Sequence, residues 1–350
     1  VSLRSDNAGP VAPAIMAAMA AANQEAAAPY GDDPYTKSAC ARVRDLFETP
    51  EAAVVPVATG TAANALGLAA MAPPWGVILA HADAHIDTDE CGAVPFYTHG
   101  ARIHRIPGDE GKLTPEAVRA VLAELSPPEV HHMPPAALSL TNLTEAGTRY
   151  TPEEVRALAA VAREHGLPVH MDGARFANAV AACGCTPAEL SWRAGVDMLT
   201  FGATKNGAMA AEALVVFEPA LAATLGYRRK RGGHLWSKGW YLGAQLDAYL
   251  DDELWLANAR NANAMAARLA DGLGRLAGVR LVHPVEGNIV FAAISERAAD
   301  CLAEQGWVFN ESRHDEAAVI RLVAGFTTTP AEVDAAITAV SEAVAGTTKG

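Results

Sequence analysis

Short apolar runs punctuate the first two thirds of the chain. They fall at 53–57 (Ala-Val-Val-Pro-Val), 77–80, 103–106, 137–140, 168–171, 198–201 and 213–217. Each is too short for a helix, and helix-length stretches separate most of them, which predicts an α/β sheet with mostly parallel strands. The clearest helix carries signals at both ends. Thr151 caps it, Pro152 takes the first turn and Glu154 completes a capping box. Val155, Leu158, Ala159 and Ala162 form one apolar stripe, and Gly166 ends it. Thr186-Pro-Ala-Glu189 and Thr329-Pro-Ala-Glu332 repeat the start signal. Residues 36–46 read as a helix from Ala39, Val43 and Leu46, after a turn cluster at 30–35.

The pattern changes near Leu246. A long helical region, 251–276, is followed by short runs at 279–282, 289–294 and 319–323 with helices between and after, the pattern of a smaller α+β domain. The expected division is therefore an N-terminal segment (1–29) packing with the small domain, a large domain (30–245) and a small domain (246–350). No internal repeat is visible, and the Gly/Thr/Lys ending reads as a frayed tail.

Composition narrows the function classes. The chain has 350 residues, 51% of them hydrophobic and 19% charged, enough for one large and one small domain. Only 6% are aromatic, so Ala and Val must carry much of the core. A formal net charge of -13 excludes nucleic acid and anionic membrane as main partners. Five cysteines without framework spacing favour a reducing, cytoplasmic setting. Cys183-Gly-Cys185 has no second pair to complete a zinc pattern, so it reads as thiols and no metal is expected. No apolar stretch is long enough for a bilayer. The opening residues lack the charged-then-apolar pattern of a leader, and without an initiator Met the start reads as trimmed.

The chemistry concentrates where strands end. Lys205 follows the run 198–201 among small residues. An amine there can be partly desolvated, which lowers its pKa and suits it to Schiff-base formation, although this stretch alone reads first as an ordinary surface lysine in a loop. Asp172 ends the run 168–171, where a helix N-cap is the plain alternative. Thr59-Gly60-Thr61 joins the strand at 53–57 to an Ala/Leu helix, where Gly60 and Thr61 can present backbone N–H groups to a phosphate, although alone the stretch reads first as a plain strand-to-helix turn. A lysine and an aspartate at the carboxyl ends of two strands, with a phosphate turn elsewhere, are what a pyridoxal phosphate (PLP) site needs. His85 follows the strand at 77–80 and can stack on such a ring, although a lone histidine reads first as structural or solvent-facing. His131 is a second candidate base, with a surface loop as its alternative. Arg175 and Arg321 can fork onto a carboxylate, and Arg321 sits in an apolar run where it demands a partner. Arg228-Arg229-Lys230-Arg231 is the strongest basic cluster of an acidic chain: a solvated loop, or a cation supplied to a phosphate across a subunit interface.

Together these stretches resemble the L-threonine aldolases, within the fold type I (aspartate aminotransferase-like) PLP enzymes of the threonine aldolase and β-eliminating lyase group. The resemblance runs in order along nearly the whole chain: Leu3-Arg4-Ser5-Asp6, Tyr30-Gly31-Asp32-Asp33, Thr59-Gly60-Thr61, Ala84-His85, His170-Met171-Asp172-Gly173-Ala174-Arg175, Thr204-Lys205 and Ile320-Arg321-Leu322-Val323. It implies a PLP-binding large domain with a mostly parallel sheet. It implies PLP held covalently at Lys205, its pyridinium nitrogen on Asp172 and its phosphate on Gly60 and Thr61. A basic residue such as Arg228 or Arg231 would come from a neighbouring chain. His85 would stack on the ring, and Arg175 would touch both cofactor and substrate. Ser5, Arg175 and Arg321 would bind the substrate carboxylate, with Tyr30 approaching the site of an adjacent subunit. A site shared in this way requires a homo-oligomer, at least a dimer, with a tetramer expected. The implied activity is retro-aldol cleavage of L-threonine or L-allo-threonine to glycine and an aldehyde, with His85 and His131 the candidate bases. Many members read Ser-Leu-Glu-Asn-Thr where this chain has Ser139-Leu140-Thr141-Asn142-Leu143-Thr144-Glu145, and no role is carried over to that loop. Rival readings are a β-eliminating lyase, a serine hydroxymethyltransferase-like enzyme, an aminotransferase on the same fold, or an inactive homologue serving as a binding scaffold.

Overall fold

The computed structural model describes residues 3–125, 129–314 and 317–347. Seven strands form the main sheet: β1 (Ala53–Val57), β2 (Val77–His81), β3 (Arg102–Ile106), β4 (Pro135–Thr141), β5 (Val169–Gly173), β6 (Met198–Gly202) and β7 (Glu212–Val216). Their order is β1-β7-β6-β5-β4-β2-β3. The pairs among β2 to β6 are parallel, and β7 runs against both β1 and β6. Every residue of β2, β5, β6 and β7 is buried, as expected of strands covered on both faces, so these strands show as continuous apolar runs.

This topology gathers chain ends that are far apart in sequence. The carboxyl ends of β1, β2, β4, β5 and β6 and the amino end of β7 share one edge, where Asp172 pairs with Thr141 and Thr200, and Glu212 with Val57 and Gly202. At that edge the backbones come very close. A Cβ on Gly173 would lie 2.5 Å from the Thr200 carbonyl, and one on Gly202 would lie 2.5 Å from the Ala174 carbonyl. Only glycine fits at either place, which brings the segments carrying Asp172 and Lys205 together. Beneath them Phe47, Phe176, Phe201, Tyr249 and Trp255 pack ring against ring, with centroids 5.6–6.1 Å apart.

A second, antiparallel sheet has the order β10-β11-β9-β8, formed by β8 (Arg280–Leu281), β9 (Ile289–Ser295), β10 (Asn310–His314) and β11 (Ala317–Val323). Helices Leu254–Leu273, Glu296–Glu304 and Pro330–Thr347 pack with it. The apolar runs found β8, β9 and β11 but not β10, whose sequence Asn-Glu-Ser-Arg-His has no apolar face because it is an edge strand. The N-terminal segment touches both sheets' surroundings. Val323 N donates to Leu3 O (2.7 Å), Ala12 N donates to Gly207 O (2.8 Å), and helix Pro13–Ala22 packs on helix Trp240–Tyr249.

Local signals behave as expected at Thr151, where both capping-box bonds form and helix Pro152–Glu164 follows. Thr186 and Glu189 make the same reciprocal bonds, yet only a 3-10 turn, Trp192–Ala194, follows. Ser191 leaves helical geometry there (φ -122, ψ -109), and its hydroxyl bonds back to Pro187 O at 2.6 Å. Among the described residues no helix is long and apolar enough to cross a membrane.

Candidate functional site

Two adjoining cavities open at the shared edge. The inner one, about 330 Å³, is lined by Gly60, Thr61, Asn64, Asp172, Lys205 and Glu212 among others. The outer one, about 480 Å³, is lined by Ser5, Glu145, Arg175, Phe291 and Arg321. Lys205 and His85 border both.

Helix Gly60–Met71 starts at the inner cavity. Thr59 caps it by accepting from Ala62 N (3.2 Å), and a Cβ on Gly60 would meet nothing within 4 Å. Gly60 and Thr61 line the cavity, so the helix start borders it, as an anion site at a helix start requires. Asp172 is locked by two bonds: Ala174 N donates to Oδ1 (3.0 Å) and Asn64 Nδ2 donates to Oδ2 (2.9 Å). Asn64 is held in turn by Thr200 Oγ1, which donates to its Oδ1 (2.7 Å). Asn64 Nδ2 also donates to Glu90 Oε1 (2.9 Å), which lies 3.1 Å from His85 Nδ1. One network thus ties the aspartate to the histidine. The Glu90 hydrogen bond pushes the His85 pKa up from its ordinary value. His170 lies under the network, 3.0 Å from Ser139 Oγ, and burial pulls its pKa down to about 4, so it stays neutral. His85, Glu90 and Asp172 present donor atoms within 4.8 Å of one another, a spacing a cation could bridge. Asn64 and Ala174 already take up part of that donor set.

Lys205 sits in a 3-10 turn, Thr204–Asn206, just past β6. The Arg175 charge, and then burial, lower its pKa from the usual amine value. That is the state an amine needs to act as a nucleophile. Arg175 is itself buried and forks onto Asp6, through Nε to Oδ2 (2.6 Å) and Nη2 to Oδ1 (2.9 Å). Burial alone would raise the Asp6 pKa, but the Arg175 charge and bonds outweigh it and hold it at about 2. Arg321 projects from β11 between its neighbours Asn310 and Phe291, half-buried, and its guanidinium has no ion-pair or hydrogen-bond partner among the described residues. Burial and the like charge of Arg175 lower its pKa. Two guanidinium groups facing one cavity, one already paired and one free, leave the place for a single carboxylate.

Several expected residues come together here: Lys205, Asp172, Gly60, Thr61, His85, Ser5, Arg175 and Arg321. Arg175 lines the outer cavity while its Nε and one Nη2 N–H are held by Asp6, which leaves three N–H donors for a ligand. Within this chain His131 is not at the site. It is exposed and precedes β4, so seven strand residues, about 23 Å, separate it from the carboxyl edge. Arg228 and Arg231 lie on helix Leu225–Arg231 and line a separate surface groove with Phe96, Tyr97 and His99, away from this chain's own cavity. Tyr30 is half exposed, with Lys230 Nζ 4.7 Å from its ring centre. Asp6, Asn64, Glu90, Glu145 and Glu212 were not singled out from sequence. The available signals were a glutamate five residues after His85 and a glutamate heading the apolar run of β7.

An amine, a fixed carboxylate, an open helix start and an imidazole around a cavity of this size fit a phosphorylated pyridine ring. The mostly parallel sheet, the small antiparallel sheet and the lysine past β6 define a fold type I PLP-enzyme architecture. The structure superposes on the threonine aldolase of Leishmania major with a TM-score of 0.92 at 30% identity, covering 98% of this chain and 99% of that one. Serine palmitoyltransferase of Sphingomonas wittichii shares the fold at 17% identity, with a TM-score of 0.74 over 99% of this chain and 88% of its own. Residues 2–297 match the Beta-eliminating lyase family, and the chain belongs to that family. It is 44% identical over 305 residues to the low specificity L-threonine aldolase of Pseudomonas aeruginosa, covering 87% of each protein.

Proposed function

We propose that the protein is a PLP-dependent, low-specificity L-threonine aldolase. It cleaves L-threonine, L-allo-threonine and related β-hydroxy-α-amino acids reversibly to glycine and an aldehyde. The observation that carries the reading is the shared cavity of Lys205, Asp172 and the Gly60–Thr61 helix start, opening past the free guanidinium of Arg321. The 44% identical Pseudomonas relative and the L. major structure support the same activity.

When bound, PLP supplies an electron sink for the charge left on Cα after the Cα–Cβ bond breaks. The chain's residues do the rest. Lys205 Nζ would hold the cofactor covalently, helped by its lowered pKa. Asp172, fixed by Asn64 and Ala174, would keep a proton on the pyridine nitrogen. Gly60 and Thr61 N–H groups would hold the phosphate, with a cation from Arg228 or Arg231 of a second copy. Arg321, with Ser5 and the remaining donors of Arg175, would grip the substrate carboxylate and orient the Cα–Cβ bond for cleavage over deprotonation. His85, on the cavity wall, would stack on the cofactor. Its Nδ1 is engaged by Glu90, leaving Nε2 to take the β-hydroxyl proton.

Because Tyr30, Arg228 and Arg231 stand away from this chain's own cavity, the reading includes a homo-oligomer, at least a dimer, with a tetramer as its expected form. It keeps the division at residues 29 and 245, and it places the protein in the cytoplasm, in line with five free cysteines. The test is incubation with L-threonine and with L-allo-threonine, trapping products. Glycine and acetaldehyde are expected. Pyruvate and ammonia would instead mean β-elimination, and a requirement for folate would mean hydroxymethyl transfer.

A further inference from the structure

Glu212 is the most unusual group of the inner cavity that the mechanism above does not use. It heads β7, pairs with Gly202 and Val57 at the strand ends, and is buried. Its Oε2 accepts from Ala203 N (2.9 Å), the residue just before the turn that carries Thr204 and Lys205. Thr204 is tied to the residue before β7, since Ala211 N donates to its Oγ1 (3.2 Å). Glu212 therefore closes the turn whose next residue is Lys205, and it shares a cavity wall with that lysine.

A neutral side chain would close that turn as well. Glutamine offers the same carbonyl acceptor to Ala203 N without the cost of burying a carboxylate. The charge needs another explanation, and Lys205, which lines the same cavity, is the charged group whose field reaches it. We propose that Glu212 is a positioning residue for Lys205: its buried carboxyl group fixes the lysine-bearing turn and sets the protonation of the Lys205 nitrogen. This rests on Lys205 as the cofactor-bearing residue. Burial pushes the Glu212 pKa up to about 7.

Other charges act on the same nitrogen. Arg175 disfavours its protonated form, while Asp6, Asp172 and Glu145 favour it. His85 and Glu90 line the same cavity, and the Tyr249 phenol lies close enough to Glu212 to feel its charge. All of these remain in Glu212→Gln, so the variant isolates one carboxylate.

The experiment is a pH titration of the visible absorbance of purified, PLP-loaded protein, wild type against Glu212→Gln. A unit charge facing the nitrogen through a partly desolvated site is worth about one pH unit or more. Loss of the carboxylate should move the midpoint down by that amount, about a tenfold change in proton affinity, with cofactor content unchanged. An unchanged midpoint in a fully loaded variant would overturn the proposal and leave Glu212 a turn-closing residue only. Should the variant fail to fold, the wild type decides. A carboxylic-acid infrared band should titrate between about pH 5 and pH 8 in the loaded enzyme, and its absence would equally overturn the proposal. A wild type that binds no cofactor at all would instead refute the functional reading itself.

Discussion

Arg321→Ala separates the two arginines of the outer cavity. Arg175 has Nε and Nη2 committed to Asp6, so two of its five N–H donors are spent inside the protein. Arg321 has no such partner among the described residues, and the neighbouring Arg175 charge makes an added carboxylate favourable there. Truncating one member of a desolvated, hydrogen-bonded charge pair costs about 2–5 kcal/mol. Arg321 is only half-buried, so the lower part of that range applies. About 2–3 kcal/mol corresponds to a loss of about 30- to 150-fold in kcat/KM for L-threonine. The assay is steady-state aldehyde release, with absorbance and circular dichroism as controls for cofactor content and fold. Cofactor content should stay at the wild-type level, because Arg321 lines the outer cavity and not the inner one. Arg321→Lys should recover only part of the loss, since an ammonium group keeps the charge but not the fork. An alanine variant with unchanged kcat/KM would remove Arg321 from the substrate site and refute the reasoning.

Asp6→Asn should destabilise the protein by about 3–5 kcal/mol in urea unfolding, because it strands a buried guanidinium; a change under 1 kcal/mol would show that the pair is not buried in solution. The same pair sets an acid limit. The Asp6 pKa is about 2 when folded against 3.8 unpaired, so its stabilisation is complete above the unpaired value and is lost as pH falls through about 2. That loss amounts to about 2 kcal/mol, visible as an acid-side slope in stability that Asp6→Asn should lack. Glu90→Gln should move the acidic limb of the kcat/KM profile to lower pH, because Glu90 raises the His85 pKa and the base works in its neutral form. An unmoved limb would mean that His85 is not the titrating base.

What the sequence made legible follows from strand geometry. Buried strands of a parallel sheet are short continuous apolar runs, so β5 and β6 and the residues at their carboxyl ends, Asp172 and Lys205, could be read directly. The turn after β1 and His85 after β2 were legible for the same reason. Strand polarity would also have corrected His131: a residue before a parallel strand lies at the opposite edge from one that follows it. Groups that arrive from elsewhere left little trace. Asp6 meets Arg175 across 169 residues, and Asn64 meets Asp172 across 108, and no spacing rule links them. β10 escaped because an edge strand need not alternate. The Thr186 signal formed its bonds but no α-helix, since Ser191 turned the chain first.

The central claim is that Lys205 carries the cofactor opposite Asp172. Borohydride reduction of the purified, PLP-loaded protein, followed by proteolysis and mass spectrometry, tests it directly. The account predicts one phosphopyridoxyl-modified peptide, with the modification at Lys205 and lost in Lys205→Ala. A modification at another lysine, or one that persists in Lys205→Ala, would contradict it.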